Sequence, residues 1–543
     1  MRILVIGGVA AGASAAARAR RMDDSAEIVV FEKGPYVSFA NCGLPYYVGG
    51  DIEDRDDLLL VSPEMFLRRF HIDVRLYHEV TAIDRENKKV TVSFMGQTTE
   101  EAYDKLILAP GCEPVVPKIP GGELEGISTV FTISDVDRIV GAMDGVKSAV
   151  VIGGGFIGIE TAEALNKRGV STTIVEMCDQ LMTILDPEMA QPLAAHLEGA
   201  GVRVLLGTSV KAFRGEGRVC GAELSDGTVL DAELVIMAAG LRPRTELAKQ
   251  AGLAIGTTGG IVVNHSMQTS DPDIYAAGDA VESFHIVSGE PIRVSLASNA
   301  NRQGRIAGSN AAGGDLRYHG TLATSIIRVC DITAARTGLT AVEATAAGFD
   351  HYSVLSPANS NASYFPGGGW MILKVTAEKA TGRILGAQAV GEAGVDKRID
   401  VLATAIHAGL TVFDLEDLDL AYAPPYSSAR GPEIIAGMIA SNVLRGGPKT
   451  VTPAELPAFL AKTGAVVLDI REPGEVAGGM IEGALTIPMD TLRADPEQLD
   501  KSRAYVVCCG VGKRAHNACC FLMQHGYEVY NLSGGYNAYI MDV

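Results

Sequence analysis

Residues 149–169, AVVIGGGFIGIETAEALNKRG, decide the fold. A β-branched run leads into Gly153, Gly155 and Gly158 at G-x-G-x-x-G spacing, and a helical pattern follows. Glycines at these positions let phosphates reach the backbone N–H groups that a helix start leaves unsatisfied. The strand STTIVEM (171–177) comes next and carries Glu176, eighteen residues after Gly158, where a carboxylate binds a ribose hydroxyl. The pattern has a precedent at the N-terminus. RILVIGGVAAGASAAARARRM (2–22) presents Gly7 and Gly12, with Val9 at the middle glycine position, and AEIVVFEK (26–33) carries Glu32 twenty residues after Gly12. One Gly-rich turn is a weak signal; two complete βαβ contexts in one chain predict two dinucleotide sites. The carboxylate of Glu176 repels a 2′-phosphate, so NADH is favoured at the second site, with NADPH possible.

Bulk properties frame these sites. A chain of 543 residues exceeds one core, and 62 glycines with 47% hydrophobic residues fit an α/β protein with many tight turns. The formal charge of −19 argues against nucleic acid and anionic membranes. No apolar run reaches membrane-spanning length. The N-terminus enters the strand RILVIGG directly, leaving no room for a signal peptide, and nine irregularly spaced cysteines do not read as a secreted disulfide framework. A reducing cytoplasm is the expected location.

TSDPDIYAAGDA (269–280) resembles the second flavin fingerprint of two-dinucleotide-domain flavoproteins, in which the aspartate, here Asp279, bonds the ribityl chain. LILAPGCEPVVPKIPG (106–121) and VIMAAGLRPRTEL (235–247) resemble the crossovers of those chains, with Gly111 and Gly240 at the turns. The resemblance implies FAD bound by residues 1–115 and 255–322, and NADH bound by residues 116–254. The FAD contacts it implies are Gly7, Ala11, Gly12, Glu32, Lys33, Asn41, Val80, Gly111, Gly278, Asp279 and Ala297; the NAD contacts are Gly153, Gly155, Gly158, Glu176 and Gly240.

SFANCGLPYYVGG (38–50) holds a lone cysteine, Cys42, and no further cysteine follows until Cys112. Flavoproteins that reduce disulfides through an internal dithiol carry two cysteines close together. Here the second sulfur must arrive from outside, as a mixed disulfide, a persulfide or an oxidised oxygen state. The stretch resembles the coenzyme A–disulfide reductase and polysulfide reductase branch of the single-cysteine flavoproteins, over residues 1 to about 445. That resemblance makes Cys42 the redox nucleophile and implies coenzyme A contacts at Ser14, Arg18, Arg21, Ser38 and Asn41, with His71, Asn301 and Arg302 as further candidates. Arg18 and Arg21 stand at i, i+3, and guanidinium groups suit the 3′-phosphate and pyrophosphate of coenzyme A. The same branch contains NADH peroxidases and oxidases working through a cysteine sulfenic acid. Peroxidases of this type carry a histidine in the first Gly-rich turn, where this chain has Ala10 and Ala11.

Residues 323–446 resemble the family's dimerisation domain, with strands such as WMILKV (370–375) and RILGAQAVG (383–391). SNASYFPGG (360–368) and DLDLAYAPPYSSA (417–429) supply Tyr364 and Tyr422. In the family these positions lie near the redox cysteine of the other subunit, where a phenol can give a proton to a leaving thiolate. The implied active site exists only in a homodimer.

A boundary at VLRGGPKTVTPAELPAFLAK (443–462) opens a last segment, 447–543. AVVLDIREPGEVAGGMIEGALTIP (465–488), YVVCCGVGKRAHNACCFLMQHG (505–526) and NLSGGYNAY (531–539) resemble the successive parts of a rhodanese domain. Rhodaneses have arginine five residues after the nucleophile, which selects Cys509 with Arg514 over Cys508. A strand ends at the cysteine, a short loop wraps it and a helix begins at about Arg514, so backbone N–H groups stabilise a thiolate or persulfide. Cys519 and Cys520 are expected to be core or partly buried thiols, and no metal site is expected, since no CxxC or histidine pair is present.

The expectation is an α/β homodimer with FAD- and NAD-binding Rossmann-like domains, an α+β dimerisation domain and a C-terminal α/β rhodanese domain. Its expected activity is NADH-dependent reduction of coenzyme A disulfide, coenzyme A persulfide or polysulfide, with the rhodanese handling sulfane sulfur. The alternatives are an NADH peroxidase or oxidase, and a rhodanese domain that only docks a sulfur donor.

Overall fold

The computed structural model describes residues 1–542. They divide into two compact units, Met1–Asp179 with Gly201–Thr321, and Gln180–Ala200 with Leu322 onwards.

In the first unit each Gly-rich motif sits at the carboxyl end of a central parallel strand. The strand Arg2–Ile6 lies between Glu27–Glu32 and Lys105–Leu108, and Ile72–Leu76 and Ile274–Ala276 complete a five-stranded sheet. Ile3, Leu4 and Val5 are completely buried, as expected of a parallel sheet covered on both faces. The second sheet repeats the design. Ser148–Ile152 lies between Ser171–Val175 and Leu234–Met237, with Arg203–Leu205 and Ile127–Ser128 at the edges. Cys112–Pro114 and Leu241–Pro243, the two crossovers, pair antiparallel. Pairing of Ile274–Ala276 with Lys105–Leu108 returns the chain to the first sheet and sets Asp279 just beyond that sheet's carboxyl edge.

The second unit contains a five-stranded antiparallel sheet in the order Ser325–Val329, Ile332–Gly338, Ile384–Gly391, Trp370–Glu378, His351–Asn359. The helices Val395–His407 and Pro432–Leu444 belong to the same unit. Its last part is a parallel sheet in the order Lys449–Val451, Glu528–Leu532, Ala504–Cys508, Val466–Asp469, Leu485–Thr486. The two sheets are joined through Ser533, whose buried Oγ accepts the Leu355 N–H at 2.7 Å.

Residues 180–200 depart from a continuous 116–254 segment, for a physical reason. Asp186 and Glu188 are buried and form ion pairs with buried Lys374, the Asp186 contact being 2.7 Å. Gln388 Nε2 also donates to Asp186, at 2.6 Å. Burial raises the Asp186 carboxyl, but Lys374 outweighs it and leaves that carboxyl below its usual range. Among the described residues no helix is long and apolar enough to cross a membrane.

Candidate functional site

The two Gly-rich turns solve one steric problem twice. A Cβ on Gly12 would lie 1.8 Å from the Gly7 carbonyl oxygen, and one on Gly158 would lie 1.9 Å from that of Gly153. Only glycine lets the helix start so close to the strand end, which turns the helix N-terminus toward the cradle that phosphates approach. The predicted carboxylates occupy matching places. Glu32 accepts the Gly8 and Gly34 N–H groups at 2.8 and 2.7 Å, and Glu176 accepts those of Gly154 and Cys178 at 2.6 and 2.8 Å.

The FAD candidates distribute unevenly around the first cradle. Ala11 is buried in the helix Ala10–Met22, where its carbonyl oxygen lies so close to Gly304 that a Cβ there would stand 2.2 Å away. Gly278 donates its N–H to the buried Gln303 Oε1 at 2.8 Å. Asp279 accepts from the Cys112 thiol at 3.2 Å. Burial drives the Asp279 carboxyl above its usual range, while Cys112 and Arg293 act the other way. Burial, with Asp279 adding, pushes the Cys112 thiol to about 12. Arg293 keeps its Nε buried without a hydrogen-bond partner. A destabilised carboxylate, an unused buried donor and a glycine cradle fit a bound dinucleotide with a polyol chain. Gly111 and Gly240 adopt positive φ at the crossovers, Lys33 is exposed, and Ala297 begins the helix Ala297–Ala311. Val80 is buried and pairs with Val92 in an antiparallel strand.

Cys42 lies in the 3₁₀ turn Asn41–Gly43, before the helix Leu44–Gly49. The Ser38 N–H donates to the Gly8 carbonyl at 2.9 Å, which fastens the cysteine loop to the first cradle. Ser38 pays for that position with a left-handed backbone, φ 48°. The Cys42 sulfur is a free thiol that reaches solvent, yet enough protein surrounds it that desolvation raises its pKa, with Glu160 and Asp279 adding to the rise. Asp279 thus raises both thiols, Cys112 by direct hydrogen bond and Cys42 by charge. Glu160, which accepts from the Tyr46 hydroxyl at 3.1 Å, escaped the sequence reading because its separation from Cys42 carries no local pattern.

The coenzyme A candidates fall into two groups. Ser14 donates to Asn301 at 2.7 Å, joining the helices Ala10–Met22 and Ala297–Ala311. Arg302 bonds Asn299 and stands over the Tyr318 ring. Arg18 has a buried Nε with no partner, and Arg21 is exposed with its guanidinium 5.8 Å from the Phe70 ring. His71 adopts a positive φ at the end of the helix Pro63–Phe70. Arg20, between the two candidate arginines, is spent on structure: it donates to the carbonyls of Phe70, Asp24 and His71 at 2.7, 2.7 and 2.8 Å.

In the second unit the hydroxyls of Tyr364 and Tyr422 are 3.3 Å apart, with both rings exposed. The Tyr422 hydrogen bond raises the Tyr364 phenol. Phe365 and Tyr426 are exposed beside them in sequence.

The last sheet presents the third site. Cys508 ends the strand Ala504–Cys508 and packs with Val451 and Leu532, whereas Cys509 packs with Ala515 and Cys519 in a different apolar cluster. Burial first, then Asp469 and Cys509, pushes Cys508 far up. Cys509 is buried, and its Sγ receives the Ala515 N–H at 3.4 Å from the helix Lys513–Gln524. Its loop is backed by the Tyr536 N–H to the Cys509 carbonyl, 2.7 Å, and the Asn537 N–H to that of Gly510, 2.9 Å. Arg514 grips Glu475 through both terminal nitrogens, at 2.8 and 2.5 Å. That grip holds Glu475 down at about 2. Glu475 was missed because REPGEV offers two acids, Glu472 and Glu475, and nothing local says which one meets an arginine 39 residues on. Cys519 is buried, and Cys520 lies 3.6 Å from His516. Among the described residues no cluster of three metal-ligating side chains occurs.

Residues 1–304 match the Pyridine nucleotide-disulphide oxidoreductase family. The chain belongs to that family. In this oxidoreductase, residues 324–433 match the family's dimerisation domain, and residues 452–542 match the Rhodanese-like domain. A crystal structure described as reduced CoADR-RHD of Bacillus anthracis is similar over 100% of this chain and 98% of its own, with TM-score 0.97 and 43% identity. A NAD-dependent persulfide reductase from A. fulgidus is similar over 99% of this chain and 100% of its own, with TM-score 0.93 and 39% identity. An NAD(P)H coenzyme A polysulfide/persulfide reductase of Pyrococcus horikoshii is 37% identical over 441 residues, 81% of this oxidoreductase and 98% of the relative.

Proposed function

We propose that this oxidoreductase uses NADH and FAD to reduce coenzyme A disulfide, coenzyme A persulfide or polysulfide at Cys42, while Cys509 carries sulfane sulfur. The observation that carries the reading is a thiol without a cysteine partner, on a loop that the Ser38 N–H to Gly8 carbonyl bond fastens to the dinucleotide cradle. Gly7, Gly12, Glu32 and Asp279 would hold FAD; Gly153, Gly158 and Glu176 would hold NADH, with the fixed Glu176 carboxylate disfavouring a 2′-phosphate.

The chemistry at the thiol follows from sulfur exchange. The Cys42 thiolate attacks the coenzyme A sulfur of a coenzyme A persulfide; the S–S bond breaks, hydrosulfide leaves with the electron pair, and Cys42 is left as a mixed disulfide with coenzyme A. NADH and FAD, when bound, supply the electron pair that returns this mixed disulfide to two thiols. With coenzyme A disulfide the leaving group is coenzyme A thiolate. Tyr364 and Tyr422 act as the acid that protonates the departing sulfur, from the other subunit of a homodimer. The exposed aromatics of their two loops fit a surface that a second copy covers. Arg18, Arg21 and Arg302 bind the phosphates of coenzyme A. At Cys509 the helix N-terminus and Arg514 stabilise the persulfide anion. A reducing cytoplasm suits the free thiols.

The test compares NADH consumption with coenzyme A disulfide, coenzyme A persulfide, polysulfide, peroxide and oxygen. The reading expects the sulfur substrates to win and Cys42→Ser to abolish that turnover; faster turnover with peroxide or oxygen sinks it. Cys509→Ser should abolish persulfide transfer by the last domain, whereas a domain that only docks a donor would be unaffected.

A further inference from the structure

Arg398 is the largest side chain that the fold buries completely, and a charge in that position demands a reason. It stands on the helix Val395–His407. Its Nε faces the equally buried Glu433 at 3.4 Å, which balances the charge but uses only one corner of the guanidinium. The terminal nitrogens reach elsewhere. Nη2 donates to the Ser360 carbonyl at 2.6 Å, to the Ser427 hydroxyl at 3.3 Å and to the Tyr426 carbonyl at 3.5 Å. Nη1 donates to the Gly394 carbonyl at 3.3 Å.

Ser360 begins the stretch that carries Tyr364, and Tyr426 and Ser427 end the one that carries Tyr422. Neither stretch joins a sheet over the tyrosines, so few backbone bonds fix them to each other. Three contacts span the gap in sequence: Arg398 at the base, the Ala362 N–H to the Pro424 carbonyl at 3.3 Å, and the two phenols at 3.3 Å. The base of the first stretch is closed on itself by Ser360 N–H to Gly369 O at 2.8 Å and Gly369 N–H to Ser360 Oγ at 3.0 Å. An ion pair kept only to fill the core would need none of these loop acceptors, and well-packed apolar residues commonly replace buried pairs without loss.

We propose that Arg398 is a positioning residue that sets the spacing of the Tyr364–Tyr422 phenol pair, a role that rests on the reading of those tyrosines as the acid at the redox cysteine. The planar fork of arginine can reach both stretches at once; a lysine ammonium at the same place cannot. A displacement of about 1 Å in an acid pair costs up to ~100-fold in rate.

The full-length holoenzyme carrying Arg398→Lys tests this. Turnover of coenzyme A disulfide should fall about tenfold in kcat, with KM for the disulfide changed less than about twofold. NADH oxidation by ferricyanide, which bypasses Cys42, should stay at the parent rate. In a Tyr422→Phe background, Arg398→Lys should add less than about twofold, because the pair it positions is already broken. Equal loss of both activities, or a full additive loss on Tyr422→Phe, overturns the proposal while leaving the tyrosine reading intact. If Tyr364→Phe and Tyr422→Phe both turn over coenzyme A disulfide at the parent rate, the tyrosine reading fails and the proposal with it. Should Arg398→Lys not fold, Ser427→Ala decides: a kcat loss of about threefold with unchanged ferricyanide reduction supports the proposal, and parent kinetics refute it.

Discussion

Replacing Lys374 by methionine should release the segment 180–200 from the second unit. The ammonium is 4% exposed and contacts two carboxylates, Asp186 and Glu188, that are 2% and 4% exposed. Methionine fills a similar volume but leaves both carboxylates uncompensated in the interior, a situation that costs about 3–5 kcal/mol. That cost falls on the helix Pro187–Gly199, which the two acids begin. Local opening should become roughly 10²–10⁴-fold more frequent, which hydrogen exchange of the 187–199 amides reads directly. The pH dependence carries two signs. Asp186 is held below its ordinary value, so its contribution is complete above about 3.8 and fades as pH falls through the lowered folded value. Lys374 is held above its ordinary value, so its contribution is complete below 10.5 and fades as pH rises through the raised folded value. The triple variant Lys374→Met with Asp186→Asn and Glu188→Gln removes all three charges and should recover most of the protection. Exchange in Lys374→Met within about threefold of the parent, or a triple variant as open as the single one, refutes this reasoning.

Two further outcomes follow from the geometry. Gly158→Ala places a Cβ 1.9 Å from the Gly153 carbonyl, so the variant should lose NADH binding by at least tenfold in fluorescence titration. Its flavin absorbance should match the parent's, since the first cradle is untouched. Glu475→Gln should destabilise the last domain by about 1 kcal/mol at neutral pH, a value kept small because both partners are about 40% exposed. Glu475 is held at about 2, so the paired contribution is complete above 4.5, and the difference from the parent, followed by urea titration, should vanish as pH falls through about 2.

What could be read from sequence was what local geometry dictates. Gly7, Gly12, Gly153 and Gly158 are forced by the strand-to-helix approach, so their spacing announced both cradles. The five-residue step from Cys509 to Arg514 follows from a loop wrapping one sulfur, and Arg514 stands in the first turn of the helix that follows that loop. Arg398, Lys374 and Glu160 left no such trace. Each draws its meaning from partners far away in sequence, such as Ser360 and Ser427 for Arg398, and a buried charge looks like any surface charge until the fold closes around it. The helix 10–22 shows the intermediate case: its arginines were visible, but which one is consumed by carbonyl groups depended on where Phe70 and His71 fall.

The most direct test of the account is the mass of the peptide containing Cys42 after the holoenzyme meets coenzyme A disulfide without NADH. A mixed disulfide with coenzyme A on Cys42, lost when NADH is added, is the expected result. An added oxygen there, or a disulfide from Cys42 to another cysteine of the chain, would contradict a thiol that takes its second sulfur from the substrate.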